Sequence, residues 1–206
     1  MNWIAFYPRF SIFLLLTFFL PSGVHAAGSV FGGVDYGIGI HPVDFRAPWA
    51  NGMGYTAGFE QDLSGLTRVV LDLEVSRFKP DEHYWSDGGR KLIIGGDAVS
   101  FLFTGNVKRF LASPGGYARP FGSLGAGISR LSFAPMDLVD IFEGMLYSYS
   151  GSSETRFAMR GGAGAVFSGP LGSHVEAQFD LSGIWLAGNP SVAYGTARML
   201  ILYRLI

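Results

Sequence analysis

Along Ser173–Leu186 polar and apolar side chains alternate. His174, Glu176, Gln178, Asp180 and Ser182 take the even positions, and Val175, Ala177, Phe179, Leu181, Gly183 and Trp185 take the odd ones. A period of two belongs to extended backbone, because successive side chains on a strand point to opposite faces. One face of this strand is polar and charged, and the other is wholly apolar.

Eight segments of this kind run along the chain: Ser29–Ile40, Met53–Leu63, Thr67–Phe78, Gly96–Phe110, Tyr117–Leu131, Glu154–Phe167, Ser173–Leu186 and Tyr194–Ile206. Thr67–Phe78 sets Val69, Leu71, Leu73 and Val75 against Arg68, Asp72, Glu74 and Ser76. Glu154–Phe167 sets Phe157, Met159, Ala163, Ala165 and Phe167 against Glu154, Arg156, Arg160, Gly162 and Gly164. The last segment sorts poorly, since Leu200 and Leu202 share the face of Arg198 and Arg204. Connections alternate in length. Ser64-Gly65-Leu66, Ser113–Gly116 and Ser168–Gly172 are short and carry the Gly and Pro of tight turns. His41–Gly52, Lys79–Gly95 and Ser132–Ser153 are long, and Ala187–Ala193 is intermediate. Short and long connections therefore collect at opposite ends of an antiparallel array, as in membrane barrels.

Composition decides which face is outside. Met1–Ala26 reads as a secretory signal peptide: Arg9, then the apolar run Ser11–Leu20, then Pro21-Ser22-Gly23 and small residues at Val24 and Ala26. The run is shorter than the roughly 20 residues a spanning helix needs. A net charge of −1 leaves no nucleic-acid footprint, and the absence of cysteine excludes disulfides and thiol chemistry. A soluble barrel with a ligand inside alternates too. Its outer surface would be rich in Lys, Glu and Thr. Here the polar face mixes opposite charges with glycine, which suits the narrow interior of eight strands. Trp185, Phe157, Phe167 and Tyr203 stand near strand ends on the apolar face, where interface aromatics belong. The expected fold is all-β, an eight-stranded antiparallel up-and-down transmembrane β-barrel. It forms one domain over residues 27–206, exported to the bacterial cell outer membrane.

Arg119-Pro120-Phe121-Gly122-Ser123-Leu124-Gly125-Ala126-Gly127 resembles the fifth strand of the small outer-membrane barrel families of the OmpX, opacity-protein and OmpA transmembrane-domain types. Arg160-Gly161-Gly162-Ala163-Gly164 is similar to their sixth strand. Such chains finish on an aromatic residue after alternating apolar ones. Here Met199, Ile201, Tyr203 and Leu205 keep the alternation, and Ile206 follows.

The inward charges are expected to form an ion-pair network of Arg160, Asp180, Arg198, Glu176, Arg204, Asp72 and Glu74. If the sixth and seventh strands turn about Pro170, Arg160 lies opposite Asp180. If the last two turn about Pro190, Glu176 faces Arg204 and Arg198 sits diagonally from Asp180. Asp180 is then clamped between two arginines. Buried ions are tolerated only in such pairs. No catalytic or metal site is expected. Some barrels of this size act on lipid A through a His-x-Ser pair. The corresponding place, Asp180-Leu181-Ser182, has aspartate for histidine. His174 is eight residues from Ser182 along one strand, roughly 26 Å at ~3.3 Å per residue. Asp81, Glu82, His83 and Asp87 cluster in one loop without a second histidine at ligand spacing.

In the longest loop Leu138, Ile141, Phe142 and Met145 fit the i, i+3, i+4, i+7 pattern of a short helix opened by Pro135. With Trp85 they make a candidate contact patch, and Trp49 adds to it. The expected protein is non-enzymatic and without cofactor. It is a structural barrel, or one whose loops serve adhesion or interaction. A small pore is the alternative, and a lipid A-modifying enzyme the less favoured one. Outer-membrane lipid and lipopolysaccharide are the expected surroundings, an extracellular protein or surface the candidate partner, and a monomer the expected state.

Overall fold

Strands form wherever the alternation runs, and they close on themselves. In the computed structural model, which describes residues 28–41, 49, 51–86, 88–113, 116–169 and 172–205, the long strands are β1 (Gly28–His41), β2 (Asn51–Ser64), β3 (Thr67–Phe78), β5 (Ala98–Phe110), β6 (Ala118–Phe133), β9 (Ser152–Gly169), β10 (Gly172–Leu186) and β11 (Val192–Arg204). They form a closed antiparallel barrel in the order β1-β11-β10-β9-β6-β5-β3-β2. Closure leaves no strand edge without a partner, the condition for a sheet to cross a bilayer. The remaining elements are the one-turn helix α1 (Glu82–Trp85), β4 (Lys91–Gly95), β7 (Met136–Asp140) and β8 (Leu146–Tyr149). The proposed signal peptide, Met1–Ala26, and Ile206 lie outside the described residues.

Charges point inward. Asp35, Glu60, Arg68, Asp72, Glu74, Lys108, Arg160, Asp180 and Arg198 are all buried, while Tyr55, Phe101, Phe103, Leu124, Ile128, Phe157, Phe179, Leu181, Met199 and Tyr203 are exposed on the outer wall. That is a soluble protein turned inside out. The outer side chains gain nothing from leaving water unless lipid covers them.

The interior is layered. At the long-loop end Phe78, Leu102, Leu131, Ile184, Leu186, Val192 and Tyr194 form an apolar seal, with Trp49 and Phe133 packed against it. At the short-turn end Phe110, Phe121 and Val166 form a second seal under Leu66. Phe31, Val70, Leu200 and Leu202 make a further apolar cluster. This accounts for the weak sorting of the last segment: Leu200 and Leu202 belong inside. Asp35, Asp72, Glu74, Arg160, Asp180 and Arg198 lie between the seals.

Candidate functional site

The charged belt consists of two linked groups. In the first, Asp72 receives Arg160 Nη1 at 3.1 Å, Arg198 Nη1, and the Thr56 hydroxyl at 2.7 Å. Arg160 also reaches Glu74 at 2.9 Å, and it donates to Ser182 Oγ at 3.0 Å and Thr196 Oγ1 at 3.3 Å. Arg198 holds Asp180 with both Nε (2.8 Å) and Nη2 (3.1 Å). In the second group Arg68 pairs with Glu60 at 3.1 Å and Asp62 at 2.5 Å, Lys108 pairs with Glu60, and Arg204 meets Glu176 at 3.3 Å. Gln178 joins the groups: it accepts from Lys108 Nζ at 2.7 Å and donates to Asp180 at 2.8 Å.

Two register expectations are corrected. Arg160 lies opposite Ile184, and Asp180 lies opposite Gly164, because the β9–β10 ladder shifts between Gly172 and Glu176. On the other side Asp180 is directly opposite Arg198, and Glu176 is opposite Leu202. The carboxylate between Arg160 and Arg198 is therefore Asp72, on a strand across the barrel, and not Asp180. Both sequence-derived turn centres were off by about a residue or two, which moves every cross-strand partner. Glu60, Arg68, Lys108 and Gln178 were recognisable as inward by parity, but parity does not say which inward groups meet.

Nothing in this belt resembles a nucleophile with its base. The Ser182 hydroxyl is engaged by Arg160 and Thr196, neither of them a base. His174 faces the Tyr203 ring, with centroids 6.4 Å apart.

The second candidate lies above the long-loop rim. Three neighbouring wall strands continue past it as a three-stranded sheet in the order β4-β7-β8. The β5–β6 ladder ends at Ala98–Phe133 and resumes at Gly95–Met136. Between them Ala134 N–H donates to Asp97 O at 2.8 Å and Gly96 N–H to Pro135 O at 3.0 Å. Gly95 and Gly96 both have positive φ, +81° and +87°, so the crease needs glycine there. The helix expected over Pro135–Met145 is thus corrected to a hairpin, β7–turn–β8. Met136, Leu138 and Asp140 alternate on its buried face. Gly144, with φ +66°, turns the chain, and β4 supplies the strand partner for β7.

This correction divides the predicted patch. Leu138 is buried in the hairpin. Ile141, Phe142 and Met145 are exposed at the turn, Phe142 at 79 %. Leu92, Ile94 and Leu146, absent from the patch expected from sequence, are exposed on one side of the small sheet. Their common face was hidden in the sequence because it is shared by two segments far apart. Trp85 packs on the inner side, 6.3 Å from the Trp49 ring and 5.8 Å from the Tyr149 ring, while Trp49 Nε1 donates to Gly96 O at 2.7 Å. Of the acidic loop cluster, Asp81 caps α1 by accepting from the backbone N–H of His83 and Tyr84. Asp87 lies outside the described residues.

Asp140 holds the hairpin turn. Its carboxylate accepts the backbone N–H groups of Glu143 and Phe142, each at 3.0 Å, and Arg90 Nε at 2.8 Å. The Glu143 N–H foremost, then Phe142 and Arg90, keep the carboxyl below the usual aspartate range. A lowered folded-state pKa contributes stability above the unfolded value, lost as pH falls through the folded one. The hairpin should therefore hold at neutral pH and loosen on acidification below the ordinary aspartate range. Trp85 fluorescence would follow this, and Asp140→Asn should flatten the response. An equally steep acid transition in that variant would place the titrating group elsewhere.

No family model matches the chain, and no curated protein matches it. Solved structures do. Neisserial surface protein A superposes with a TM-score of 0.58 at 10 % identity, over 87 % of this chain and 99 % of that one. Ail, the attachment invasion locus protein of Yersinia pestis, gives 0.52 at 16 % identity, over 88 % and 100 %. A major outer membrane protein from Thermus thermophilus gives 0.50 at 14 % identity, over 86 % and 99 %. Each spans nearly its whole length, so the likeness is to an entire barrel. With its closed ring of eight antiparallel strands, this chain has the fold of the small outer-membrane β-barrels.

Proposed function

We propose that this chain is a non-enzymatic outer-membrane barrel that presents its long-loop end to a protein partner outside the cell. The observation that carries the reading is the sheet β4-β7-β8, which lifts Leu92, Ile94 and Leu146 above the rim and leaves them exposed, with Phe142 exposed at the hairpin turn. Contiguous exposed apolar side chains on a rigid support mark contact surfaces. The likeness to Ail, which its name describes as an attachment protein, points the same way. The pore reading is less favoured, because an ion would have to cross two apolar seals and a belt of paired charges. Three measurements on one protein test the proposal. The mature protein should fractionate with the outer membrane and show heat-dependent gel mobility. It should give no stable single-channel steps in planar bilayers. Cells displaying it should adhere to other cells or to one another, and Phe142→Ser with Leu146→Ser should cut that adhesion at least severalfold while leaving the barrel folded. Regular conductance steps, or undiminished adhesion in the double variant, would overturn the reading.

A further inference from the structure

Four arginines are buried inside the barrel, among the described residues, and three have carboxylates. Arg68 has Glu60, Asp62 and Glu176; Arg160 has Asp72 and Glu74; Arg198 has Asp72 and Asp180. Arg119 differs. It is 5 % exposed, and Nη2 donates to the Gly65 carbonyl at 2.8 Å. Its guanidinium lies over the Phe110 ring at 3.8 Å, and buried Nε has no acceptor. A carbonyl and a ring face orient a guanidinium, but they do not neutralise it. A buried charge without a counterion is costly.

The surroundings leave the deficit in place. Arg68, Glu176, Asp62 and Arg204 lie within electrostatic reach of Arg119. Asp62 is engaged by Arg68, and Glu176 is shared between Arg204 at 3.3 Å and Arg68 at 3.5 Å, with Oε2 accepting no hydrogen bond. Adding Lys108 and Glu60, which pair with each other, leaves four cations and three carboxylates in this cluster among the described residues. The cluster is also open to solvent: the side chains of Arg204 and Asp62 are 37 % and 31 % exposed.

We propose that Arg119, with Arg204 beside it, forms a binding site for a small oxyanion, a carboxylate or a phosphate, at the short-turn mouth of the barrel. The planar guanidinium suits that chemistry, since its parallel N–H groups match two oxygens of either anion. Phe110 beneath it fixes the plane, and Gly65 O takes one Nη2–H, so Nε–H is the buried donor left for the ligand. On the outer-membrane reading this mouth faces the periplasm; the site itself does not depend on the loop surface at the other end.

The test uses the whole folded barrel in detergent at constant ionic strength. Inorganic phosphate is titrated in one arm and acetate in the other, with the Nε–H NMR signals of Arg119 and Arg204 as reporters. A saturable shift of the Arg119 signal with phosphate, acetate or both is expected, and the responding arm identifies the anion class. Arg119→Lys keeps the charge but loses the fork. There the Arg204 signal should report binding weakened about tenfold or more, the loss of one charge-assisted hydrogen bond. An Arg119 signal that moves with neither anion overturns the proposal, as does equal affinity in Arg119→Lys. If that variant fails to refold, the wild-type titration alone decides.

Discussion

Asp72→Ala is expected to lower the unfolding free energy of the barrel in detergent by about 3–5 kcal/mol, the usual cost of removing one partner from a buried ion pair. Asp72 is the carboxylate on which Arg160 and Arg198 converge, and Thr56 completes its shell. Without it, Arg198 still has Asp180 and Arg160 still has Glu74, but two buried guanidiniums then share fewer charges. Asp180→Ala should cost less, because Arg198 keeps Asp72. Asp72→Asn should fall between, since an amide oxygen still accepts from Thr56 while the charge is gone. Urea titration followed by heat-dependent gel mobility would rank the three. Asp180→Ala proving the more damaging variant would return the clamp to the partner inferred from sequence.

Gly127→Ala is expected to cost about 4 kcal/mol or more, or to prevent closure altogether, a range reserved for specific structural faults. Gly127 faces inward on β6 opposite Thr104 of β5, and a Cβ there would land on the Phe103 carbonyl oxygen. That oxygen belongs to backbone already committed to the ladder, so it cannot rotate away. Gly183→Ala is the control. Gly183 points outward and a Cβ there meets nothing within 4 Å, so the change should stay within about 0.5 kcal/mol. Equal yields of folded Gly127→Ala and Gly183→Ala would remove the close approach as the reason for glycine at 127.

Gly127 also gives a physical meaning to the segment Arg119–Gly127, on which the resemblance to small barrels rested. Its inward glycines are where β6 presses on β5. The eight wall strands were readable in advance for a related reason. Alternation is a local property, and the segments drawn from it agree with the observed strands to within a few residues, as at Thr67–Phe78. The excursion above the rim was not readable. Leu138, Ile141, Phe142 and Met145 satisfy a helical spacing, while Met136, Leu138 and Asp140 satisfy a strand spacing equally well. Pairing of Lys91 with Asp140, and of the residues between them and the rim, settled the matter in favour of the strand.

By itself the sequence determined that this chain would be a barrel with charges within and apolar side chains without. Period, glycine content and turn residues act over a few neighbouring positions and need no partner to be read. Only the tertiary structure decided which charges meet. Asp72 and Arg198 are 126 residues apart, and their contact depends on the exact registers of several ladders between them. It also decided that, among the described residues, Arg119, one basic residue among many in the sequence, is the buried arginine without a carboxylate partner.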